Sequence, residues 1–181
     1  MSDQELFHLR FPIGKFLAPD HVSRQIKSAW INDISQLPTL LREHTEHLSE
    51  IQLQTPYRMG GWNIRQVVNH LADSHINAYT RIKLALTENS PIIKTYEENI
   101  WAELEDGKKA PILLSLNLLD ALHARWTILL KSLDDDDLQK NFFHPVSQHY
   151  VSVEQAIGTY SWHGRHHLAH ITELKKRKAW N

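Results

Sequence analysis

The pattern of apolar and polar residues along the chain predicts helices rather than strands. Apolar residues recur every three or four positions in four stretches, which begin near Asp20, Asn63, Ile112 and Ser152. Pro38 interrupts the first stretch, and we favour two consecutive helices there over one kinked helix. Four such stretches joined by modest loops predict an all-α protein built as an up-and-down four-helix bundle.

Side-chain caps define where two of these helices begin. Asn63 with Gln66, and Ser152 with Gln155, have the spacing of a capping box, in which each side chain satisfies a free backbone N–H. The helix from Ser152 should end in the basic run 175–178. These cations offset the carbonyl dipoles of a helix C-terminus, and we favour this interpretation over a nucleic-acid-binding patch.

The segments outside these helices carry proline, glycine or clustered acidic residues, which disfavour long helices. They are predicted as an extended N-terminal arm over residues 6–18, a mixed segment with one short helical turn over 91–111, a solvated turn over 134–137, and a loop or short extended pair over 141–150. The whole chain, residues 1–181, is predicted to form a single domain, since its length suits one compact core.

Composition narrows the class of protein. The formal net charge of −1 gives no reason to expect nucleic acid as a partner. No apolar run approaches the length of about 18 residues that a membrane span needs, and the acidic N-terminus lacks the features of a signal peptide. The chain has no cysteine, which excludes disulfides, thiolate zinc sites and a cysteine nucleophile. We therefore expect a cytoplasmic protein without a membrane or nucleic-acid partner.

Histidine is the unusual residue, with 13 copies, and four of them fall between positions 163 and 170. On a helix that advances about 100° per residue, the four side chains lie within an arc of about 100°. His163 and His167 are four residues apart, so they lie on the same face of the helix one turn from each other and can share one ion. Rows of imidazoles of this kind suit zinc, nickel or iron.

An open metal site needs a third ligand, and His70 is the best candidate. It lies in register with the apolar face of the helix from Asn63, so it should point into the bundle. A lone inward histidine is more often a hydrogen-bonded core residue than a ligand, and an isolated pair is ambiguous. Four histidines on one face favour the metal, because burying several unpaired imidazoles is costly. The predicted metal ligands are therefore His70, His163 and His167.

Three further residues are catalytic candidates. Asp73, one turn after His70, could orient an imidazole, and His166 and His170 could carry protons or support the ligands. His75 lies about 140° around the helix from His70 and is predicted at an edge or on the surface. The histidines without a comparable register are predicted to be structural or solvent-exposed: His44, His47, His123, His144 and His149.

Two segments carry a resemblance to a known family. GGWNIRQVVNHLADSHIN (60–77) and YSWHGRHHLAHI (160–171) resemble the two signature segments of the DinB superfamily. They are most similar to its YfiT-like branch, a group described as metal-dependent hydrolases and also as bacillithiol-transferase-like. The similarity extends over nearly the whole chain, through LRFPIG (9–14), RIKLAL (81–86), WA (101–102) and LHARW (122–126).

The resemblance implies a four-helix bundle with one divalent metal ion per subunit. One ligand would come from the helix after the Gly-Trp loop and two from the last helix, and residue by residue these match His70, His163 and His167. Zinc is the expected ion, with nickel, iron or manganese as alternatives. Asn69 departs from the pattern, since many relatives are expected to have a second histidine there. We expect this change to alter the surroundings of the ligand rather than the metal.

Three histidine ligands leave at least one metal position open, which is the form of a catalytic site. In a hydrolase, the ion lowers the pKa of its water toward about 7, and hydroxide attacks a bond such as an ester or amide. In a thiol transferase, the ion binds a small thiol as thiolate and directs it to an electrophile. We expect thiol transfer ahead of hydrolysis, because no HExxH-type glutamate is linked to the ligands. A third alternative is a non-catalytic, metal-stabilised binding or stress protein.

The expected partners follow from this chemistry. The substrate is a small molecule, and a low-molecular-weight thiol would act as a cosubstrate because the chain has no thiol of its own. The resemblance also implies a cytoplasmic protein that is often dimeric. Trp101, Trp162 and Trp180 lie near predicted helix ends and would suit an aromatic-rich homodimer interface.

Overall fold

Helices account for most of the structure, a computed structural model that describes residues 2–180. Over these residues the chain forms nine helical segments and one two-stranded hairpin. In chain order they are α1 (Asp3–Arg10), α2 (Arg24–Thr45), α3 (Glu50–Leu53), α4 (Ile64–Thr87), α5 (Glu98–Trp101), α6 (Glu105–Lys109), α7 (Ile112–Ser132), α8 (Asp135–Gln139), β1 (Asn141–His144), β2 (His149–Ser152) and α9 (Val153–Lys178).

The four long helices form the predicted four-helix bundle. α2 packs against α9 and α7, and α4 packs against the same two helices. α2 and α4, which follow one another among the long helices, therefore lie across the bundle from each other. The hydrophobic pattern predicted the number of helices but contains no information on their order around the bundle.

The bundle interior consists of two apolar clusters with a layer of histidines between them. One cluster contains Ile82, Trp126 and Ile157, and the other contains Leu71 and Ile171. On α7 and on α9 the buried histidines fall between the residues that belong to the two clusters, and on α4 His75 does so. The polar layer is thus enclosed by apolar packing above and below.

Pro38 does not divide the first stretch, and the prediction of two helices there was wrong. α2 is one helix that begins after Ser23, whose side chain accepts a hydrogen bond from the third backbone N–H; it does not begin at Asp20. A proline inside a helix removes one hydrogen bond and costs about 3 kcal/mol. Leu37 and Leu41 are buried on either side of Pro38, and their packing favours the continuous helix.

The N-terminal arm is only partly extended, in contrast to the prediction for residues 6–18. α1 covers its first part, because Ser2 and Glu5 form a capping box that the sequence already contained. From residue 11 to Ser23 the chain is irregular. The arm is held on α9 by the Trp162 indole N–H, which donates to the carbonyl oxygen of Gly14 at 3.1 Å.

The remaining segments are more helical than expected. The solvated turn predicted over 134–137 is α8, which Asp134 caps and which buries Leu138. The mixed segment over 91–111 contains two short helices, α5 and α6, where one turn was predicted. The extended pair predicted as one alternative for 141–150 is confirmed, since β1 and β2 pair in an antiparallel hairpin. Both predicted capping boxes are present at α4 and α9.

α7 has the length and apolar composition that would allow a helix to cross a membrane, in contrast to the prediction that no apolar run approaches this length. It is the one helix in residues 2–180 with both properties. The core helix of a bundle meets the same criteria, and Leu116, Leu119 and Trp126 on α7 are buried against the other helices. We therefore describe α7 as a bundle helix.

Candidate metal centre

The structure brings together the three histidines that the sequence singled out. His70 comes from α4, and His163 and His167 come from successive turns of α9. One ring nitrogen from each lies within 4.8 Å of the other two. Nε2 of His70 and Nε2 of His163 are 3.3 Å apart. Two facing helices therefore present three imidazoles to one point, as their register predicted.

Burial keeps these imidazoles neutral at pH 7. Burial lowers the pKa of His70 to about 4. Burial, together with the neighbouring histidines, lowers the pKa of His163 and of His167 well below the usual value of 6.5. A neutral imidazole keeps a lone pair on one nitrogen, and this is the form that binds a metal ion.

The donor set fits a borderline divalent ion. The cluster contains three imidazoles and neither a thiolate nor a carboxylate, a set that suits zinc, nickel and iron. The two facing Nε2 atoms of His70 and His163 can share at most one proton at 3.3 Å. When both carry lone pairs, a cation between them removes their repulsion. Three protein ligands would leave a further position for a small molecule.

The histidines line a cavity of about 420 Å³, within the usual size range of small-molecule sites. Glu98 and Asn99 line it from α5, and Glu98 is the one carboxylate in the described lining. Arg10 and Arg58 contribute cationic groups. Sequence reasoning missed Glu98, because the mixed segment over 91–111 has no periodicity or motif that would have placed it near the histidines.

Aromatic rings from the loop before α4 form one wall of the cavity. The Trp62 ring lies 4.6 Å from the His70 ring, and the Tyr57 ring stacks on His170 at 4.0 Å. The loop turns sharply at Gly60, whose φ of +65° is in the left-handed region that favours glycine. A Cβ on Gly61 would lie 2.7 Å from the Arg58 side chain. The paired glycines thus allow the loop to fold against the histidines.

His75 is fully buried, so its predicted position at an edge or on the surface was wrong. Its Nδ1 lies 2.9 Å from Nε2 of His123, and its Nε2 lies 3.1 Å from Nδ1 of His163. α4 packs against both α7 and α9, so a position far from His70 around the helix still faces a neighbour. His123 is also buried, in agreement with a structural role.

Asp73 does not contact the histidine cluster in the way that was expected. Within residues 2–180 its carboxylate forms no hydrogen bond with an imidazole; its backbone oxygen accepts from Asn77. Burial and the nearby Asp106 raise the pKa of Asp73 to about 6. The structure therefore gives Asp73 no orienting contact to a ligand.

His166 and His170 line the cavity, as their shared face with the predicted ligands implied. His166 stacks on Trp162 at 4.5 Å, and its buried Nδ1 has no hydrogen-bond partner in the described part of the chain. His170 Nε2 lies 3.1 Å from the Arg10 carbonyl oxygen, and its Nδ1 lies 3.4 Å from Nδ1 of His167. Burial lowers the pKa of His166 to about 4, and burial with the nearby His166 lowers that of His170 to about 3.

Comparison with known proteins agrees with this architecture. The family model of the DinB superfamily matches residues 33–171. A Bacillus subtilis protein named "putative metal-dependent hydrolase YfiT" is 46% identical over 174 residues, 96% of this chain and 98% of the relative. An Oceanobacillus iheyensis protein of the same designation is 51% identical over 171 residues, 94% of this chain and 98% of the relative. The solved structure of YfiT, described as a four-helix bundle of unusual topology, superposes with a TM-score of 0.94 over 96% of this chain and 99% of that one. The chain therefore belongs to the DinB superfamily.

Proposed function

We propose that the protein is a metal-dependent hydrolase of small molecules in which His70, His163 and His167 hold one zinc ion. The observation that carries the proposal is the convergence of three neutral imidazoles on a cavity that a small molecule can enter. The relatives' designation as metal-dependent hydrolases supports it.

Glu98 changes the order of the two reactions considered from the sequence. Thiol transfer was favoured because no carboxylate base was evident beside the ligands. The cavity that the histidines line also contains one carboxylate, Glu98, which α5 supplies rather than a ligand-bearing helix. Hydrolysis is therefore the first candidate and thiol transfer the second.

The residues around the site have distinct roles in hydrolysis. A divalent ion held by the three histidines would supply Lewis-acid chemistry, activating water and polarising a carbonyl or phosphoryl oxygen. Glu98 accepts the proton of the attacking water as general base. His166 lines the same cavity, and burial keeps it neutral. Trp62 and Tyr57 limit the access of bulk water from one side.

The cavity favours a substrate with a negatively charged group. Arg10 and Arg58 line it, and neither forms an ion pair with a carboxylate within residues 2–180. The buried Nε of Arg58 has no hydrogen-bond partner among those residues. Arginine binds carboxylates and phosphates through paired hydrogen bonds. Esters, amides or phosphoesters that carry an anionic group are therefore the first substrates to test.

Glu98→Gln is expected to lower kcat for such a substrate by about 10²–10⁴-fold, the usual contribution of a general base, while the metal content stays the same. Glu43→Gln is the control, since Glu43 is an exposed glutamate on α2 that does not line the histidine cavity. Steady-state kinetics on zinc-loaded protein, with metal analysis of each variant, make the comparison. A metal-replete Glu98→Gln protein with the wild-type kcat would contradict the assignment of the base.

Thiol transfer is the second candidate, because an open histidine site also accepts a thiolate. Cobalt-substituted protein would then show a sulfur–metal charge-transfer band when a small thiol is added, and turnover would need both thiol and metal. Hydrolysis without any thiol would exclude this candidate. If the protein binds a stoichiometric metal ion but shows no turnover in either assay, a non-catalytic binding or stress protein is the remaining candidate.

We also propose a homodimer, although two of the three tryptophans that suggested it point into their own chain. Trp162 donates to Gly14 and Trp180 is half-buried, whereas Trp101 is exposed. α7 adds exposed apolar residues at Leu114 and Ile128. We expect sedimentation velocity at micromolar concentration to give twice the monomer mass. A monomer mass would contradict the proposal.

A further inference from the structure

We infer that two chains of hydrogen bonds hold His163 and His167 in the tautomer with a proton on Nδ1 and a lone pair on Nε2. Each chain begins at a backbone carbonyl that its own helix leaves without a donor. His75, His123 and His170 are then positioning residues, which act on the metal ligands through hydrogen bonds. The inference rests on the proposed metal site and deepens it.

The first chain begins at Pro38. Proline has no backbone N–H, so the Ile34 carbonyl, four residues earlier in α2, lacks its helical donor. Nδ1 of His123 lies 2.5 Å from that carbonyl oxygen. A carbonyl oxygen only accepts, so Nδ1 of His123 must carry the proton. The Nε2 of a neutral His123 is consequently an acceptor.

The same logic passes along the chain to the metal site. His75 Nδ1, 2.9 Å from His123 Nε2, must donate to it. The Nε2 of His75 is then an acceptor, and it lies 3.1 Å from Nδ1 of His163. His163 therefore carries its proton on Nδ1. Its Nε2, which faces Nε2 of His70, keeps the lone pair that a metal requires.

The second chain begins at the C-terminus of α1. Carbonyls in the last turn of a helix have no intrahelical donor, and Arg10 is the last residue of α1. His170 Nε2 lies 3.1 Å from the Arg10 oxygen and must donate to it. His170 Nδ1 is then an acceptor for Nδ1 of His167 at 3.4 Å. The nitrogen of His167 that remains for a metal is again Nε2.

The chains specify a tautomer only while their imidazoles are neutral, and burial ensures this. The side chains of His75 and His123 are almost completely buried, at 0% and 1% exposure, and burial disfavours a charged imidazole. Reversing one tautomer would place two donors or two acceptors opposite each other in a buried layer. It would also leave a carbonyl without a donor, and buried polar groups are normally hydrogen-bonded.

The tautomers can be measured directly in the metal-free protein. Long-range ¹⁵N–¹H spectra of ¹⁵N-histidine-labelled, full-length protein distinguish protonated from unprotonated ring nitrogens. We expect a protonated Nδ1 and an unprotonated Nε2 at both His163 and His167. A predominant Nε2–H tautomer at either residue in the wild-type protein would overturn the inference, whatever any variant does.

Variants test the two chains separately. His123→Phe removes the anchor of the first chain and should disturb the tautomer of His163 alone, whereas His170→Phe should disturb that of His167 alone. Each should weaken zinc binding by about 10–100-fold, the usual effect of losing such a support. His170→Asn, whose amide oxygen can accept from His167, should restore much of the tautomer preference.

His166→Phe is the matched control. His166 lies in the same layer, but its Nδ1 has no hydrogen-bond partner in residues 2–180, so both tautomers should persist. If folded His123→Phe or His170→Phe protein changed the tautomers of both His163 and His167, or of neither, the two chains would not be separate. None of these measurements uses a substrate. If the tautomers differ from those expected, the hydrogen-bond chains are refuted and the proposed hydrolase function is unaffected. If the tautomers are as expected but the protein hydrolyses no substrate, only the proposed hydrolase function is contradicted.

Discussion

His163→Ala should reduce the zinc content from about one ion per chain to none and reduce hydrolytic activity to background. The variant removes one of the three imidazoles that converge within 4.8 Å. It also removes the last imidazole of the first chain, whose Nδ1–H donates to Nε2 of His75. Two remaining histidines provide too few ligands for a stable zinc site, which needs three in its open form. Metal analysis of protein purified without an affinity tag provides the measurement.

His47→Ala is the appropriate comparison, because His47 is an exposed histidine outside the cavity. It should retain the wild-type zinc content and activity. Circular dichroism of both variants separates the loss of metal from the loss of the fold. If folded His163→Ala protein retained one zinc ion per chain, His163 would not be a metal ligand and the proposed centre would be wrong.

The parts of this site that depend on a single helix could be predicted from the sequence. The positions of His163 and His167 relative to each other follow from helix geometry. The inward direction of His70 follows from the apolar residues around it. The start of α4 follows from Asn63 and Gln66, which form the capping box. In each case the deciding interactions lie within a few residues along the chain.

The parts that depend on helix packing could not be predicted. His75 is buried because α4 has neighbours on more than one side, and the sequence does not contain the order of helices around the bundle. Glu98 reaches the cavity through a segment without periodicity. Local rules predict a helix break at Pro38, because they omit the core packing of α2. Pro38 also leaves the Ile34 carbonyl oxygen without a helical donor, and this oxygen accepts a hydrogen bond from His123.

The histidine layer should also make the metal-free protein sensitive to acid, with unfolding between about pH 6.5 and 4. In the folded protein the pKa values of His70, His123 and His166 are about 4 and that of His170 is about 3. In the unfolded chain a histidine has a pKa of about 6.5. Between these values the unfolded chain binds more protons, so stability is present above pH 6.5 and falls as the pH decreases.

The magnitude is large because several groups act together. Each of these histidines lowers the free energy of unfolding by up to about 1.4 kcal/mol per pH unit within the window. Acting together, the four lower it by several kcal/mol over the window, comparable with the whole stability of many domains. Asp73 acts in the opposite direction between pH 6 and 4, because its raised pKa lets the folded protein take up a proton first; it offsets about one histidine.

Urea unfolding of the metal-free protein at several pH values measures this slope. His123→Gln removes one buried imidazole and should make the dependence shallower by about one proton. Saturating zinc should shift the acid-induced unfolding to lower pH. The bound ion stabilises the folded state, and protons must displace it before the protein unfolds. A free energy of unfolding that stayed constant from pH 7 to 4.5 would mean that the buried histidines are not held neutral by the fold.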